Sequence, residues 1–301
     1  MHRIRWTDVP DAIQRVIVDA AGSDVVDVDH VDGGYSPSLA AALTLQNGRR
    51  VFVKAVSSAQ NPDSPDFIRR EVDAVRLLPD GLPAPKLLAE HDDGDWVVAM
   101  FEHIDGRLPK VPWQSADLDR ALSSLAALNA IEAPMGLPAA DAFLAPLFDG
   151  WQQMAAADSA PAEWSTRVDE LVALEQRALE LVVGDRLVHH DIRSDNMLVA
   201  RDGSFFFVDW AHACRGAPWI DLLLWLPALE LEGGGEPETV LARIPADQRP
   251  THEETVAVSA ALLGYFVSRG AMPDPPGLPT VRAFQRAQGE VTSRWLQRLL
   301  P

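Results

Sequence analysis

Between Leu187 and Trp210 the chain reads Leu-Val-His-His-Asp-Ile-Arg-Ser-Asp-Asn-Met-Leu-Val, turns around Gly203, and continues Phe-Phe-Phe-Val-Asp-Trp. Asp191 is followed five residues later by Asn196, and the apolar run Phe205 to Val208 closes on Asp209. Phosphoryl transfer needs such a set: one carboxylate facing an acceptor hydroxyl, and two oxygen ligands for Mg2+. The flanking apolar residues, Leu187 to Val188 and Met197 to Val199, predict short strands. Strand ends are places where polar side chains can point into a cleft.

That chemistry also needs a cation for the nucleotide phosphates, and the front half of the chain offers one. Lys54 lies inside the apolar strand Val51 to Val56, and a helix beginning near Pro65 carries Glu71. A Lys on a strand paired with a Glu on the next helix would hold its ammonium toward ATP phosphates. Upstream, Gly33-Gly34-Tyr35-Ser36-Pro37-Ser38 forms a turn. Its backbone N–H groups around Gly34 and the hydroxyls of Ser36 and Ser38 could meet phosphate oxygens, because Gly allows close backbone approach. The turn has neither a Walker loop nor GxGxxG spacing. Glu102 to Gly106 leaves the sheet; in a kinase reading the backbone groups of Glu102 and Ile104 would pair with adenine, and otherwise the segment is a linker.

The elements that position these residues follow in order. Thr7 is a candidate cap for a helix carrying Ile13, Val16, Ile17 and Ala20, stopped by Gly22. Strands are expected at Val25 to Val31, Leu39 to Leu45, Val51 to Val56, Lys86 to Glu90 and Trp96 to Phe101, with Asn47-Gly48 closing a hairpin. Past residue 106 the composition turns Ala- and Leu-rich. Helices are expected over Leu118 to Ile131, Phe143 to Ala157, Val168 to Val183, Ile220 to Leu231, Glu253 to Arg269 and Thr280 to Leu300. The fold class is therefore α+β, with a small β-rich N-terminal lobe over 1–101, a hinge over 102–106 and a larger helical lobe over 107–301.

A chain of 301 residues with 47% hydrophobic side chains can bury a large core. Acidic residues outnumber basic ones 44 to 26, giving a net charge of -18, which argues against nucleic acid or an anionic membrane as partner. A cationic small substrate would be welcomed by such a charge, although acidic surfaces commonly serve solubility. The single cysteine, Cys214, excludes an internal disulfide, and the eight histidines show no zinc spacing. Charges interrupt the apolar residues of Met1 to Ala20, and Ile220 to Leu231 is too short to span a bilayer, which points to a cytoplasmic location.

The ordered set Lys54, Glu71, Glu102 to Gly106, His189 to Asn196, Asp209 and Asp221 resembles the aminoglycoside phosphotransferase family, with its two-lobed, protein-kinase-like fold. The family motif His-Gly-Asp-x-x-x-x-Asn stands here as His189-His190-Asp191-Ile192-Arg193-Ser194-Asp195-Asn196. The resemblance implies that Asp191 is the catalytic carboxylate and that Asn196 and Asp209 bind Mg2+. It also implies that Lys54 contacts the phosphates of ATP or GTP, that Glu71 orients Lys54, and that His189 and Asp221 support the loop. Two departures are visible: His190 replaces the motif's Gly, and the Gly-rich loop is reduced to Gly33-Gly34. Arg193 is a candidate for stabilising charge on the transferring phosphoryl group.

Only Trp210 to Ile220 separate Asp209 from Asp221, which leaves no room for a protein kinase's activation segment. The reading is a small-molecule kinase acting on a hydroxyl. A cationic antibiotic such as an aminoglycoside is one candidate acceptor, which would make antibiotic resistance a candidate role. A sugar or an amino alcohol is another, and a catalytically inactive nucleotide-binding protein is the alternative class. Glu230, Glu232, Glu236 and Glu238 could line an amine-binding wall with Trp210 or Trp225, or be a solvated face over core tryptophans.

Overall fold

The β-branched and aromatic runs of the first hundred residues pair as an antiparallel sheet. The computed structural model describes residues 3–31, 37–275 and 280–300. After a short 3-10 turn at Trp6–Asp8 come α1 (Asp11–Ala21), β1 (Val25–His30), β2 (Leu39–Leu45), β3 (Arg50–Ser57), α2 (Ser64–Leu77), β4 (Leu87–Asp92) and β5 (Trp96–Glu102). The strand order is β1-β2-β3-β5-β4. Inward residues of β2, β3 and β5, among them Leu39, Leu43, Val51, Val53, Val98 and Met100, pack against Ile13 and Ile17 of α1. The other face, with Val56, Val97 and Phe101, receives Ile68 and Val72 of α2.

The rest of the chain is mainly helical. It runs β6 (Gly106–Arg107), α3 (Ser115–Asn129), α4 (Ala140–Leu144), α5 (Gly150–Ala156), α6 (Val168–Leu181), β7 (Arg186–Val188), β8 (Met197–Ala200) and β9 (Phe205–Phe207). It ends with β10 (Cys214–Gly216), α7 (Ile220–Leu231), α8 (Pro237–Leu241), α9 (His252–Gly270) and α10 (Val281–Leu299). The backbone forms two compact units. One comprises residues 3–108 and 195–212; the other comprises 109–194, 213–275 and 280–300. In the first, β6, β8 and β9 form a small second sheet; in the second, β7 pairs with β10. The helical core of the second unit gathers Trp151, Leu171, Ala260, Leu263 and Leu296 from α5, α6, α9 and α10.

Two sequence expectations change. The helix expected over Phe143 to Ala157 is broken into α4 and α5, with Pro146 in the gap. A new start at Gly150 is favoured because Glu175 of α6 accepts from the backbone N–H groups of Trp151 (3.1 Å) and Gln152 (3.2 Å), satisfying donors that a helix start leaves orphaned. Gly150 is also required there, since a Cβ at this position would lie 2.2 Å from the Gly264 carbonyl oxygen. Thr7 does not cap α1; it lies in the 3-10 turn, and Pro10 occupies the cap position.

Candidate functional site

In the first unit, the register of the sheet carries Lys54 in the middle of β3, opposite Ala40 on β2 and Ala99 on β5. A lysine flanked by small apolar neighbours needs a partner, and it has two. Its Nζ lies 2.8 and 2.7 Å from the two carboxylate oxygens of Glu71 on α2. It lies 3.2 Å from Oδ1 of Asp209. Burial works to lower the ammonium's pKa, but the charges of Asp209 and Glu71 overcome it and hold the lysine protonated. Burial pushes the Glu71 carboxyl up, and Lys54 and the backbone N–H of Trp210 pull against that shift.

The side chains of the three differ in access: Lys54 is 16% exposed, Glu71 5% and Asp209 46%. Glu71 is thus the internal anchor, and Asp209 is the more exposed of the two carboxylates. Asn196 joins it through the β8–β9 hairpin. Met197 pairs with Phe207, and Val208 N–H donates to the Asn196 carbonyl at 3.0 Å. A buried amide side chain and a half-exposed carboxylate are therefore adjacent on neighbouring strand ends. Two hard oxygen donors suit Mg2+, which takes few protein ligands and keeps several waters. Asp209 holds φ at +69°, a left-handed conformation that Asp tolerates better than most residues.

In the second unit, the loop after β7 is organised by Asp221 at the start of α7. Its Oδ2 accepts from His189 N–H (2.9 Å) and Asn129 Nδ2 (2.7 Å), and its Oδ1 from His190 N–H (2.6 Å). Asn129 also donates to the Leu187 carbonyl at 2.9 Å. Burial raises the Asp221 carboxyl; His189, Asn129 and the two backbone donors lower it only in part. Drawing two successive N–H groups onto one carboxylate folds the backbone into a turn, and His190 adopts φ of +71°. That is why a glycine would suit this position. The His190 ring is held edge-on to Phe143 of α4, with centroids 4.6 Å apart. Buried His189 accepts at Nδ1 from Asp191 N–H at 3.3 Å, so Asp191 leaves the turn with its backbone fixed. Its carboxylate is met by Arg193 Nη1 at 2.7 Å.

Among the remaining expected residues, Glu102 is exposed at the end of β5 and Ile104 is half-buried beyond it. The Glu102 N–H is committed to the Lys86 carbonyl at 2.8 Å, so an adenine contact from this residue would fall to its carbonyl. Gly34 and Ser36 lie outside the described residues. The acidic wall does not form as such: Glu230 pairs with Arg294 at 2.8 Å and Glu238 with Arg298 at 2.7 Å. Glu232 accepts from Trp113 Nε1 at 2.9 Å and from the hydroxyl of Ser194 in the loop. Trp210 and Trp225 are core. Asn129 and the Trp210 N–H carry no signal in the sequence that marks them as part of the site. Asn129 reads as an ordinary polar residue at a helix end, and its partner Asp221 is remote in sequence. Among the described residues no group of three or more His, Cys, Asp or Glu side chains is arranged to hold a metal ion, and no described helix is long and apolar enough to cross a membrane.

The model of the phosphotransferase enzyme family (APH) matches residues 28–257. Comparison of the sequence with curated proteins finds none that matches. Among solved structures, choline kinase LicA from Streptococcus pneumoniae superposes with a TM-score of 0.62 at 17% identity, covering 94% of this chain and 100% of that one. A thermostable mutant of aminoglycoside phosphotransferase APH(4)-Ia, in ternary complex with AMP-PNP and hygromycin B, gives 0.61 at 15% identity, covering 96% and 98%. An aminoglycoside phosphotransferase from Alicyclobacillus acidocaldarius gives 0.56 at 17% identity, covering 97% and 95%. At these identities the likeness is one of fold: α+β and protein-kinase-like.

Proposed function

The chain belongs to the phosphotransferase enzyme family and is a phosphotransferase with an alcohol group as acceptor; from that premise we propose that it moves the γ-phosphoryl group of ATP or GTP to a hydroxyl of a small molecule in the cytoplasm. The observation that carries this reading is the Lys54–Glu71–Asp209 arrangement, an ammonium gripped by one buried carboxylate and reaching toward a more open one. The nucleotide complex of the APH(4)-Ia structure supports a nucleotide donor. On this reading the nucleotide side is the N-terminal lobe to residue 101 with the 102–106 hinge, and the remainder supplies the catalytic loop and the acceptor side.

Each residue then has a task. Lys54 holds the phosphates and Glu71 fixes Lys54. Asn196 and Asp209 would hold Mg2+, which when bound neutralises charge on the phosphate oxygens. Glu102 and Ile104 meet the base through their backbone, and Gly34 and Ser36 belong to the phosphate turn. Asp191 aims the acceptor hydroxyl. As the acceptor oxygen bonds to the γ-phosphorus, the bridging oxygen leaves with the nucleoside diphosphate, and the hydroxyl proton passes late to Asp191. Arg193 rests on Asp191 at 2.7 Å and would turn to the phosphoryl group once the acceptor occupies the carboxylate.

The test is phosphate transfer by the purified protein from Mg-ATP and Mg-GTP to aminoglycosides, macrolides, tuberactinomycin-type peptides, amino sugars and amino alcohols. Asp191→Asn should abolish transfer while nucleotide binding persists, and Arg193→Ala should lower kcat. Nucleotide binding with no transfer to any alcohol would leave the inactive nucleotide-binding reading standing.

A further inference from the structure

Three arginines stand where α9 gives way to α10, and each bonds neutral acceptors only. Arg269 reaches the Pro146 carbonyl at 3.4 Å and Met272 Sδ at 3.9 Å. Arg282 reaches the Pro273 carbonyl at 3.2 Å and Gln285 Oε1 at 2.7 Å. Arg286 reaches the Gly270 carbonyl at 3.0 Å. Nearby helices of the same unit pair their arginines with carboxylates, as in Arg177 with Glu253, Arg294 with Glu230 and Arg298 with Glu238. In a chain with 44 acidic residues, none of these three has a carboxylate partner among the described residues.

The group is joined to the catalytic loop. Tyr265, one turn before Arg269 on α9, receives Gln285 Nε2 on its hydroxyl at 3.2 Å, and Gln285 in turn holds Arg282. Phe143 of α4 packs on His190 beside Asp191, and three residues further on the Pro146 carbonyl takes Arg269. Tyr265 also feels both sides: burial raises its phenol, Arg269, Gln285 and Arg282 lower it, and Asp191 raises it. The carboxylate that would aim the acceptor and the two arginines are thus within electrostatic reach of one half-buried phenol.

We propose that Tyr265, Arg269 and Arg282 form the acceptor wall beside Asp191, and that the acceptor is an alcohol carrying an anionic group, a carboxylate or a phosphate, rather than a polycation. The proposal rests on the phosphotransferase reading of Asp191. A guanidinium fork matches two anionic oxygens, and exchanging a carbonyl, thioether or amide partner for an anion gains charge complementarity without breaking an ion pair. A polycationic acceptor would instead meet two like charges at close range. The net charge of -18 draws cations to the molecule from a distance, but selection is made at this wall.

The experiment uses the whole protein loaded with Mg-AMP-PNP, titrated calorimetrically with glycerate, glycerol 3-phosphate, glycerol, choline and hygromycin B. Glycerate or glycerol 3-phosphate should bind at least about tenfold tighter than glycerol or choline, and the difference between the two anions tells carboxylate from phosphate recognition. Arg269→Gln and Arg282→Gln should each weaken that binding by about tenfold while leaving AMP-PNP affinity and Tm in place, and Arg282→Lys should keep much of it. Tighter binding of choline or hygromycin B, anions that bind no better than glycerol, or unchanged anion affinity in both Gln variants overturns the proposal. Failure of the underlying reading looks different: AMP-PNP itself does not bind, or Asp191→Asn leaves phosphate transfer from Mg-ATP intact.

Discussion

Replacing Asp221 tests whether the catalytic loop is held by hydrogen bonds to one buried carboxylate. Its Oδ2 takes two donors, Asn129 Nδ2 and His189 N–H, and its Oδ1 takes one, His190 N–H. Asp221→Asn can keep its oxygen in the Oδ2 place and serve the first two. Its amide nitrogen then confronts the His190 N–H, so one buried donor loses its acceptor, at a cost of about 1–3 kcal/mol. Asp221→Ala takes the acceptor from all three donors, leaving Asn129 only its bond to the Leu187 carbonyl, and should cost about 3–5 kcal/mol. Urea unfolding followed by tryptophan fluorescence measures both. The pH dependence carries a sign. Burial raises the folded-state Asp221 carboxyl, so its contribution is full below the ordinary carboxylate value of about 4 and declines as pH rises through the raised value. Asn lacks that decline, so the difference in stability between wild type and Asp221→Asn should move against wild type as pH rises. An Asn variant within about 0.5 kcal/mol of wild type, together with an Ala variant no worse than Asn, would refute the account. A deficit that grows with pH would show instead that the three donors outweigh burial.

Three further outcomes follow from the same geometry. Glu71→Gln removes one of the two anions on Lys54 and should raise KM for Mg-ATP about tenfold or more while costing about 2–3 kcal/mol in urea unfolding, since Asp209 still partners the lysine; unchanged nucleotide KM would count against Lys54 as a phosphate ligand. His190→Ala and His190→Gly both lose the Phe143 ring contact, but only Ala must still hold φ of +71°; Gly should therefore be the more stable of the two by about 1 kcal/mol. Gly150→Ala places a methyl 2.2 Å from the Gly264 carbonyl oxygen, a backbone atom that cannot swing away, and should lower stability by about 2 kcal/mol or more in thermal unfolding.

The parts of this molecule that were legible in sequence are those where physics leaves few options. A lysine inside an apolar strand must face solvent or find a partner, and Glu71 on the next helix is the carboxylate within reach; it lies at 2.7 Å. The strands β2, β3 and β5 followed from apolar runs bounded by turn residues, with Asn47-Gly48 closing β2 on β3, and α7 matched its apolar run from Ile220 to Leu231. What was not legible depended on partners remote in sequence. Phe148, Trp151 and Met154 keep helical spacing across a segment where the helix is broken, because Glu175 and Gly264 set the new start. β6 and β10 are two and three residues long, too short for any period to register. The role of Asn129 depends on Asp221, 92 residues on.

His190 joins the two levels. In sequence it is a departure from a motif that has glycine at that place; in the structure it is the residue whose N–H is drawn to Asp221 and whose φ is positive. A left-handed histidine costs about 1–2 kcal/mol relative to an ordinary conformation, so something must hold it. One part is the charge-assisted bond to Asp221, stronger than a neutral one. The other is the ring contact with Phe143, which glycine could not make. Through Phe143, α4 is fastened to the loop that carries Asp191, and the chain beyond α4 supplies the carbonyl that holds Arg269. The substitution therefore exchanges backbone ease for a side-chain tie between the catalytic loop and the arginines proposed to choose its acceptor. His190→Gly should test that tie: it relieves the backbone yet loosens Arg269, so anion affinity should fall while AMP-PNP affinity holds, and an unchanged anion affinity would leave His190 with a packing role alone.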